Sequence, residues 1–254
     1  MPKRDTERDH ESSRIPAEVT PPLEDQVYRT LREALIRGDF PPGEPLSIRR
    51  IAAALETSVM PVRTCLRRLA AEQCLDIGPN GTAVVPQLSR AEFAEITSLR
   101  AALEPMAAGL AAASITPEEL AAAAAIALHG GERRRQGDEG GYQLANHRFH
   151  FAIYRAARSP LLLAMIETLW VRRSPIMRES QPHLHARHAD LHDELLAALR
   201  AQDAERAANV LREDIERAGR YLIGRLRFRD EAERSAGLAA LRPLARAGRP
   251  ARRG

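Results

Sequence analysis

The periodicity of the chain changes at one place only. From Leu23 to about Glu72, apolar residues recur at spacings of three and four, the mark of one buried helical face. Between Leu75 and Val85 that spacing gives way to two strand-like runs, Leu75-Asp76-Ile77 and Ala83-Val84-Val85, around Gly78-Pro79-Asn80-Gly81. Asn-Gly between such runs is a strong hairpin signal. Pro86 closes the module, and no strand signal follows it. Three helices and one small hairpin within some 65 residues describe a winged helix-turn-helix.

The helices before the hairpin have readable ends. Leu23–Arg37 carries Val27, Leu31, Ala34 and Leu35 on one face and stops at Gly38. GDFPPGEPLS is a proline-glycine loop. A short helix runs from a Ser47 cap to about Leu55, and another from a Ser58 cap to about Glu72, with Pro61 in its first turn where a missing N–H costs little. On this third helix Val62, Cys65, Leu66 and Leu69 gather on one face, and Met60, Arg63, Thr64 and Arg67 gather opposite. That division suits a helix filling a major groove, where Arg pairs with guanine or grips phosphate and Thr touches bases or backbone. The bland alternative is an exposed face that arginine merely solvates.

Composition bears on that choice. The 254 residues suit two domains, and 44% hydrophobic against 4% aromatic leaves Leu and Ala to do most of the packing. The net charge of +4 hints at an anionic partner. Lys3 is the only lysine, however, and an Arg- and Ala-rich bias commonly follows a GC-rich genome. The positions of the arginines, not their number, must identify a nucleic-acid surface. Cys65 and Cys74 form no metal pattern and read as small core residues. The longest apolar run, Leu120 to Leu128, falls well short of the ~20 residues of a membrane helix, and the charged opening MPKRDTERDHESSR lacks the apolar core of a secretory signal. A cytoplasmic protein without a membrane role is expected.

Past Pro86 the expected helices are 89–114, 117–136, 142–157, 160–176, 185–201 and 204–227, joined at Gly, Pro or Asp. The fold class is therefore mainly α: a winged helix-turn-helix followed by an antiparallel bundle of six to seven helices, an architecture that builds ligand sites from facing side chains. The domains are a disordered arm (1–20), the DNA-binding module (21–87), a helical effector domain (88–228) and a flexible Arg-rich tail (229–254).

Within the bundle, Asn146 and His150 are four apart on one helical face. His192 shares a face with Leu195, Leu196 and Leu199, and Asp214 lies in line with Ala207, Leu211 and Ala218. Polar groups aimed into an apolar bundle need partners, and a shared cation would supply one. Two His nitrogens with oxygen ligands suit zinc, nickel, manganese or iron. The competing account makes His150 and His192 hydrogen-bonded core residues and pairs Asp214 with Arg217. His183, His185 and His188 cluster, but such a His-rich entrance is as often solvated. Arg100 and Glu104, also i,i+4, form either an intrahelical ion pair of ~0.2–0.5 kcal/mol or a clamp in which Arg100 meets a carboxylate. Leu99, Leu103 and Met106 place Arg100 at the edge of the core face.

The stretch LREALIRGDFPPGEPLSIRRIAAALETSVMPVRTCLRRLAAEQCL resembles the opening of the GntR family of bacterial transcription regulators. The resemblance implies DNA contacts by Arg49, Ser58 and Arg63, with Asn80 and Gly81 at the wing tip. Val59 stands where the family usually carries Arg, so the operator need not be the common one. The remainder looks like the FadR-like subfamily in its FCD branch, on LRAALEPMAA, NHRFHFAIYRAARSPLLL and HDELLAALRAQDAERAANVLREDI. That resemblance implies a divalent metal held by Asp and His residues, here Asn146, His150, His192 and Asp214, and a carboxylate effector met by Arg100, with Glu104 and Tyr154 beside it. Asn146 replaces the usual Asp, and Asp214 the usual last His. The expected activity is a dimeric repressor on a palindromic operator of double-stranded DNA, released or retained by a small organic acid. The alternative is a metal-dependent enzyme of small carboxylates carrying an accessory DNA-binding-like domain.

Overall fold

The computed structural model describes residues 21–179, 189–225 and 228. The expected arm, tail and His183–His185–His188 cluster lie outside the described residues. The order is α1 (Leu23–Arg37), α2 (Ile48–Ala54), α3 (Val59–Ala71), β1 (Asp76–Ile77), β2 (Ala83–Val84), α4 (Arg90–Ala112), α5 (Pro117–Arg135), α6 (Glu139–Ala156), α7 (Pro160–Arg173), a 3-10 turn (Ser174–Glu179), α8 (Ala189–Arg200) and α9 (Ala204–Ile223). The mainly helical class and the winged helix-turn-helix are as the sequence implies.

Capping chemistry sets most boundaries. Ser47 accepts from the Arg50 N–H, and Ser89 and Thr116 each form a reciprocal capping box with Glu92 and Glu119. Ser58 occupies the cap position of α3 in extended conformation, but its side chain makes no capping hydrogen bond. Helix α6 begins earlier than the expected residue 142. Asp138 caps it by accepting from Gly141 N–H, so Gly140-Gly141 lies in the first turn and is not a joint. At the other end α7 yields to the 3-10 turn at Ser174, before the expected residue 176.

The reading head packs around Leu31, Leu35, Val62, Leu66, Leu69 and Val85. Tyr28 on α1 donates to Glu72 at 2.5 Å, and Arg68 lies 3.8 Å over the Tyr28 ring while bonding Glu72 at 2.9 Å. These contacts fix α3 against α1. In the bundle, α4 and α9 approach closely at Gly109, where an added Cβ would lie 3.4 Å from the Ala204 carbonyl oxygen. A Cβ on Gly219 would fall 2.5 Å from Thr97 Cγ2, so any larger residue there would force Thr97 to shift.

The face of α4 that turns inward differs from the expected one. Arg100 and Glu104 are buried at 5% and 0%, while Leu99 and Met106 are 44% and 57% exposed. Arg100 therefore sits in the core face, not at its edge, and the apolar stripe of Leu99, Met106 and Leu110 looks out.

The two halves meet along α1, α6 and α7. Glu33 pairs with Arg148 at 3.1 Å and Arg32 with Glu167 at 3.4 Å. Val171 of α7 is buried in the reading head's own core. Among the described residues, no helix is long and apolar enough to cross a membrane.

Candidate nucleic-acid interface and effector cavity

One concave surface, about 650 Å³, opens between α2, α3 and the wing. Arg49, Arg50, Arg63 and Arg67 line it with Asn80, Gly81 and Thr82, and no acidic residue does. Among the described residues, none of the four guanidinium groups is engaged in an ion pair, whereas Arg37, Arg68, Arg133, Arg148, Arg158, Arg172, Arg206, Arg217 and Arg220 each are. Arginines elsewhere, such as Arg29, Arg155 and Arg200, also lie outside the ion pairs of the described residues, so the mark of this face is its lining, which holds four arginines and no carboxylate and is suited to phosphate.

Of the sequence-predicted DNA residues, the groove brings together Arg49, Arg63, Arg67, Asn80 and Gly81. Ser58, Met60 and Thr64 are exposed on α3 outside its lining, Met60 at 59%. Arg50, Ile77 and Thr82 were not singled out. Arg50 was within reach, since it adjoins Arg49; Ile77 belongs to the expected strand run and is 61% exposed.

The wing turn differs by one residue from the Asn-Gly expectation. Gly81 N–H donates to Gly78 C=O at 3.0 Å, and Gly78 N–H to Thr82 C=O at 2.9 Å. Pro79 and Asn80 are thus the central pair, and Gly81 takes φ +70° as the following residue. Proline pre-sets the φ that the first central position needs, and glycine adopts the left-handed one.

The second site is a small cavity, about 50 Å³, enclosed by α4, α6, α7, α8 and α9 and lined by Arg100, Asn146, His150, Arg173, His192 and Asp214 among others. All four predicted metal residues and Arg100 meet there. Arg217 turns instead to Glu213, so the alternative pairing of Asp214 with Arg217 does not form. Donor atoms of His150, His192 and Asp214 lie within 4.8 Å of one another.

Glu104 is buried behind this cavity and organises it. It accepts from Arg100 Nε at 2.5 Å and Nη2 at 3.0 Å, from Tyr154 Oη at 2.5 Å and from Trp170 Nε1 at 2.9 Å. Tyr154 has one hydroxyl proton, and Glu104 takes it. The remaining Tyr154 contact, 3.4 Å from His150 Nδ1, therefore makes His150 Nδ1–H the donor. The Nε2 lone pair then faces Asp214 Oδ2 at 3.9 Å. Burial, followed by His192, holds the His150 pKa well below its ordinary value, which keeps the ring neutral. A neutral imidazole oriented by a partner on its other nitrogen, facing a carboxylate, is a donor set that fits a divalent cation.

Tyr142, Trp170 and Met177 of the lining were not singled out, and Arg173 is the charged cavity residue that sequence reasoning missed. It is buried, its Nε has no hydrogen-bond partner, and Nη1 reaches only Met177 Sδ at 3.2 Å. Burial, followed by the neighbouring Arg100, lowers its pKa to about 9. Its place on the inward edge of a helix ending in Arg172-Arg173 left no periodic signal separating the two.

Residues 23–85 match the model of the gntR family of bacterial regulatory proteins, and residues 95–217 match the FCD domain. The Escherichia coli transcriptional regulator McbR is 33% identical over 192 residues, covering 74% of this chain and 87% of that protein. The E. coli transcriptional repressor GlaR is 30% identical over 206 residues, covering 74% and 90%. The solved structure of E. coli McbR/YncC superposes with a TM-score of 0.72 at 32% identity, covering 78% of this chain and 95% of that one. A putative GntR regulator from Rhodococcus sp. RHA1 superposes with a TM-score of 0.67 at 25% identity, covering 80% and 99%. These relatives are transcription regulators and not enzymes. With a gntR-type winged module followed by an FCD domain, the chain belongs to the GntR family of bacterial transcription regulators, in the branch that carries an FCD domain.

Proposed function

We propose that the chain is a dimeric repressor whose operator affinity is set by a small organic acid entering the cavity of the helical domain. The observation that carries the DNA half of this reading is the acid-free groove with four arginines outside any ion pair. Repression is the role stated for the relatives GlaR and the D-xylose operon regulator of Paenarthrobacter nicotinovorans, which is 30% identical over 192 residues.

Support for a dimer comes from the apolar face that α4 and α7 leave exposed: Leu99, Met106 and Leu110 at heptad-like spacing, beside Leu161 and Met165. A second copy would cover it, and two heads on a two-fold axis read a palindrome. Asn146, His150, His192 and Asp214 would hold a divalent ion, which would supply positive charge and open positions for a carboxylate. The His150 ring is oriented without it: Glu104 fixes Tyr154, and Tyr154 fixes the His150 ring.

The test is selection of bound sequences from a random DNA pool, repeated with candidate carboxylic acids. The reading predicts a palindromic motif whose recovery changes with one class of acid. Acid-independent recovery would remove the effector half and leave the DNA half standing.

A further inference from the structure

Four consecutive residues at the end of α7 divide between the two halves of the molecule. Trp170 lines the cavity and donates to Glu104, while Val171 is buried in the reading head. Arg172 Nη1 donates to Asp76 Oδ1 at 2.9 Å and to the Gln73 carbonyl at 3.1 Å, where the wing begins. Arg173 returns to the cavity. Such a division follows from the helical turn of roughly 100° per residue, which points neighbours at different surroundings.

The two cavity arginines are not equivalent. Arg100 gives Nε and Nη2 to Glu104, whose oxygens also serve Tyr154 and Trp170. Arg173 is 7% exposed, its Nε bonds nothing, a thioether is the acceptor of its Nη1, and its guanidinium shares the Trp170 ring with Arg100, 5.1 Å from the centroid, with no carboxylate hydrogen-bonded to it among the described residues. Glu104 and Asp214 act on Arg173 only through space; a buried cation with no hydrogen-bonded anion is costly, and a carboxylate offers two oxygens to a guanidinium edge. About 50 Å³ admits the carboxylate end of a molecule.

We propose that Arg173 receives the carboxylate of the regulating acid, and that the last turn of α7 carries its arrival to the wing through Arg172. The proposal rests on the effector reading above. To offer Nε–H and an Nη–H together, the guanidinium leaves Met177, and the backbone of the turn follows. Arg172, on that same turn, then shifts against Asp76 and Gln73. The acid thereby binds two arrangements of the wing unequally, which is the condition for coupling.

The experiment uses the full chain with acetate, malonate and succinate, each with and without zinc. Binding is read as a concentration-dependent rise in melting temperature, and the response of the wing as a change in amide exchange across 74–85. In the wild type, at least one acid gives both signals. Arg173→Met loses the melting shift or needs roughly tenfold more acid. Arg172→Gln keeps the melting shift and loses the exchange change. If Arg173→Met responds as the wild type does, the acid is held elsewhere and the assignment of Arg173 fails while the effector reading stands. An exchange change that survives in Arg172→Gln overturns the relay alone. If no acid shifts the wild type, the effector reading itself fails and takes this proposal with it. Should Arg173→Met not fold, Arg173→Lys keeps the charge without the planar fork, and wild-type acid affinity in that variant overturns the assignment.

Discussion

Arg63 and Arg68 lie on the same helix and have opposite commitments. Arg68 turns back to Glu72, Asp25 and the Tyr28 ring, while Arg63 faces the groove outside any ion pair. Arg63→Ala is expected to weaken specific operator binding by ~1–3 kcal/mol with an unchanged melting temperature. Arg68→Ala is expected to lower stability by no more than ~1 kcal/mol, since its ion pairs are half-exposed and screened, with a smaller effect on DNA. Gel-shift titration and thermal melting of both variants check this, and equal losses of affinity would show that the free and committed arginines are not distinguished by DNA. The sequence showed Arg63 on the outer face and Glu72 within reach of Arg68, but could not show Asp25 and Tyr28 of α1 completing the Arg68 contacts. His147 titrates for a different reason. It is buried, neither ring nitrogen is hydrogen-bonded, and it stacks 4.1 Å from Phe151. Burial, and then Arg32, push its pKa down to about 3 from 6.5. The unfolded chain therefore binds a proton between those values that the folded chain refuses. Stability is full above pH 6.5 and falls as the pH drops toward 3, by about 1.4 kcal/mol per unit for this group. Denaturant unfolding at pH 7.5 and 5.5 should show the loss, and His147→Phe, which keeps the stack, should reduce it. An unchanged pH slope in that variant would place the acid sensitivity elsewhere.

At the scale of elements, the wing is where local chemistry is most exposed to test. Gly81 holds φ +70°, and a Cβ there would meet nothing within 4 Å. The cost of Gly81→Val is thus conformational, about 1–2 kcal/mol, and falls on a turn that borders the groove. Operator affinity should drop while metal- or acid-dependent thermal shifts persist; retention of full affinity would remove the wing tip from DNA contact. The existence of the wing was legible because Asn-Gly between apolar runs has few uses. Its register was not, because Pro79 competes for the first central position and wins by fixing φ. The starts of α4 and α5 carry a local signal of the same kind, since Ser89 and Thr116 each cap their helix with a glutamate three residues on. The inward face of α4 was not. Leu99, Met106 and Leu110 make the more apolar stripe, yet Arg100 and Glu104 are buried because Tyr154 and Trp170, on α6 and α7, complete the carboxylate's hydrogen bonds. No spacing within α4 announces partners that far along the chain. The gathering of His150, His192 and Asp214 was foreseeable, since each lay on the apolar side of its own helix.

For the whole molecule, an ion held by α6, α8 and α9 would bind the folded state alone and stabilise it in proportion to its concentration. Elemental analysis of protein purified without chelator is expected to give about one divalent ion per chain. Chelation should lower the melting temperature, and His150→Ala/His192→Ala should abolish that difference. Absence of metal, with no shift on adding zinc, nickel or manganese, would return both histidines to a packing role. The central claim concerns DNA, however, and depends on the arginines of the groove. Neutralising Z phosphates makes log K fall with log salt at a slope of about −0.9Z. The most direct measurement is therefore the affinity of the wild type and of Arg63→Ala/Arg67→Ala for a selected site and for unrelated DNA, across a range of salt. The account predicts a palindromic selected site, strong salt dependence, and a double variant that binds both DNAs alike with a shallower slope. A pool that yields no enriched sequence, or a double variant with the wild-type preference and slope, would contradict it.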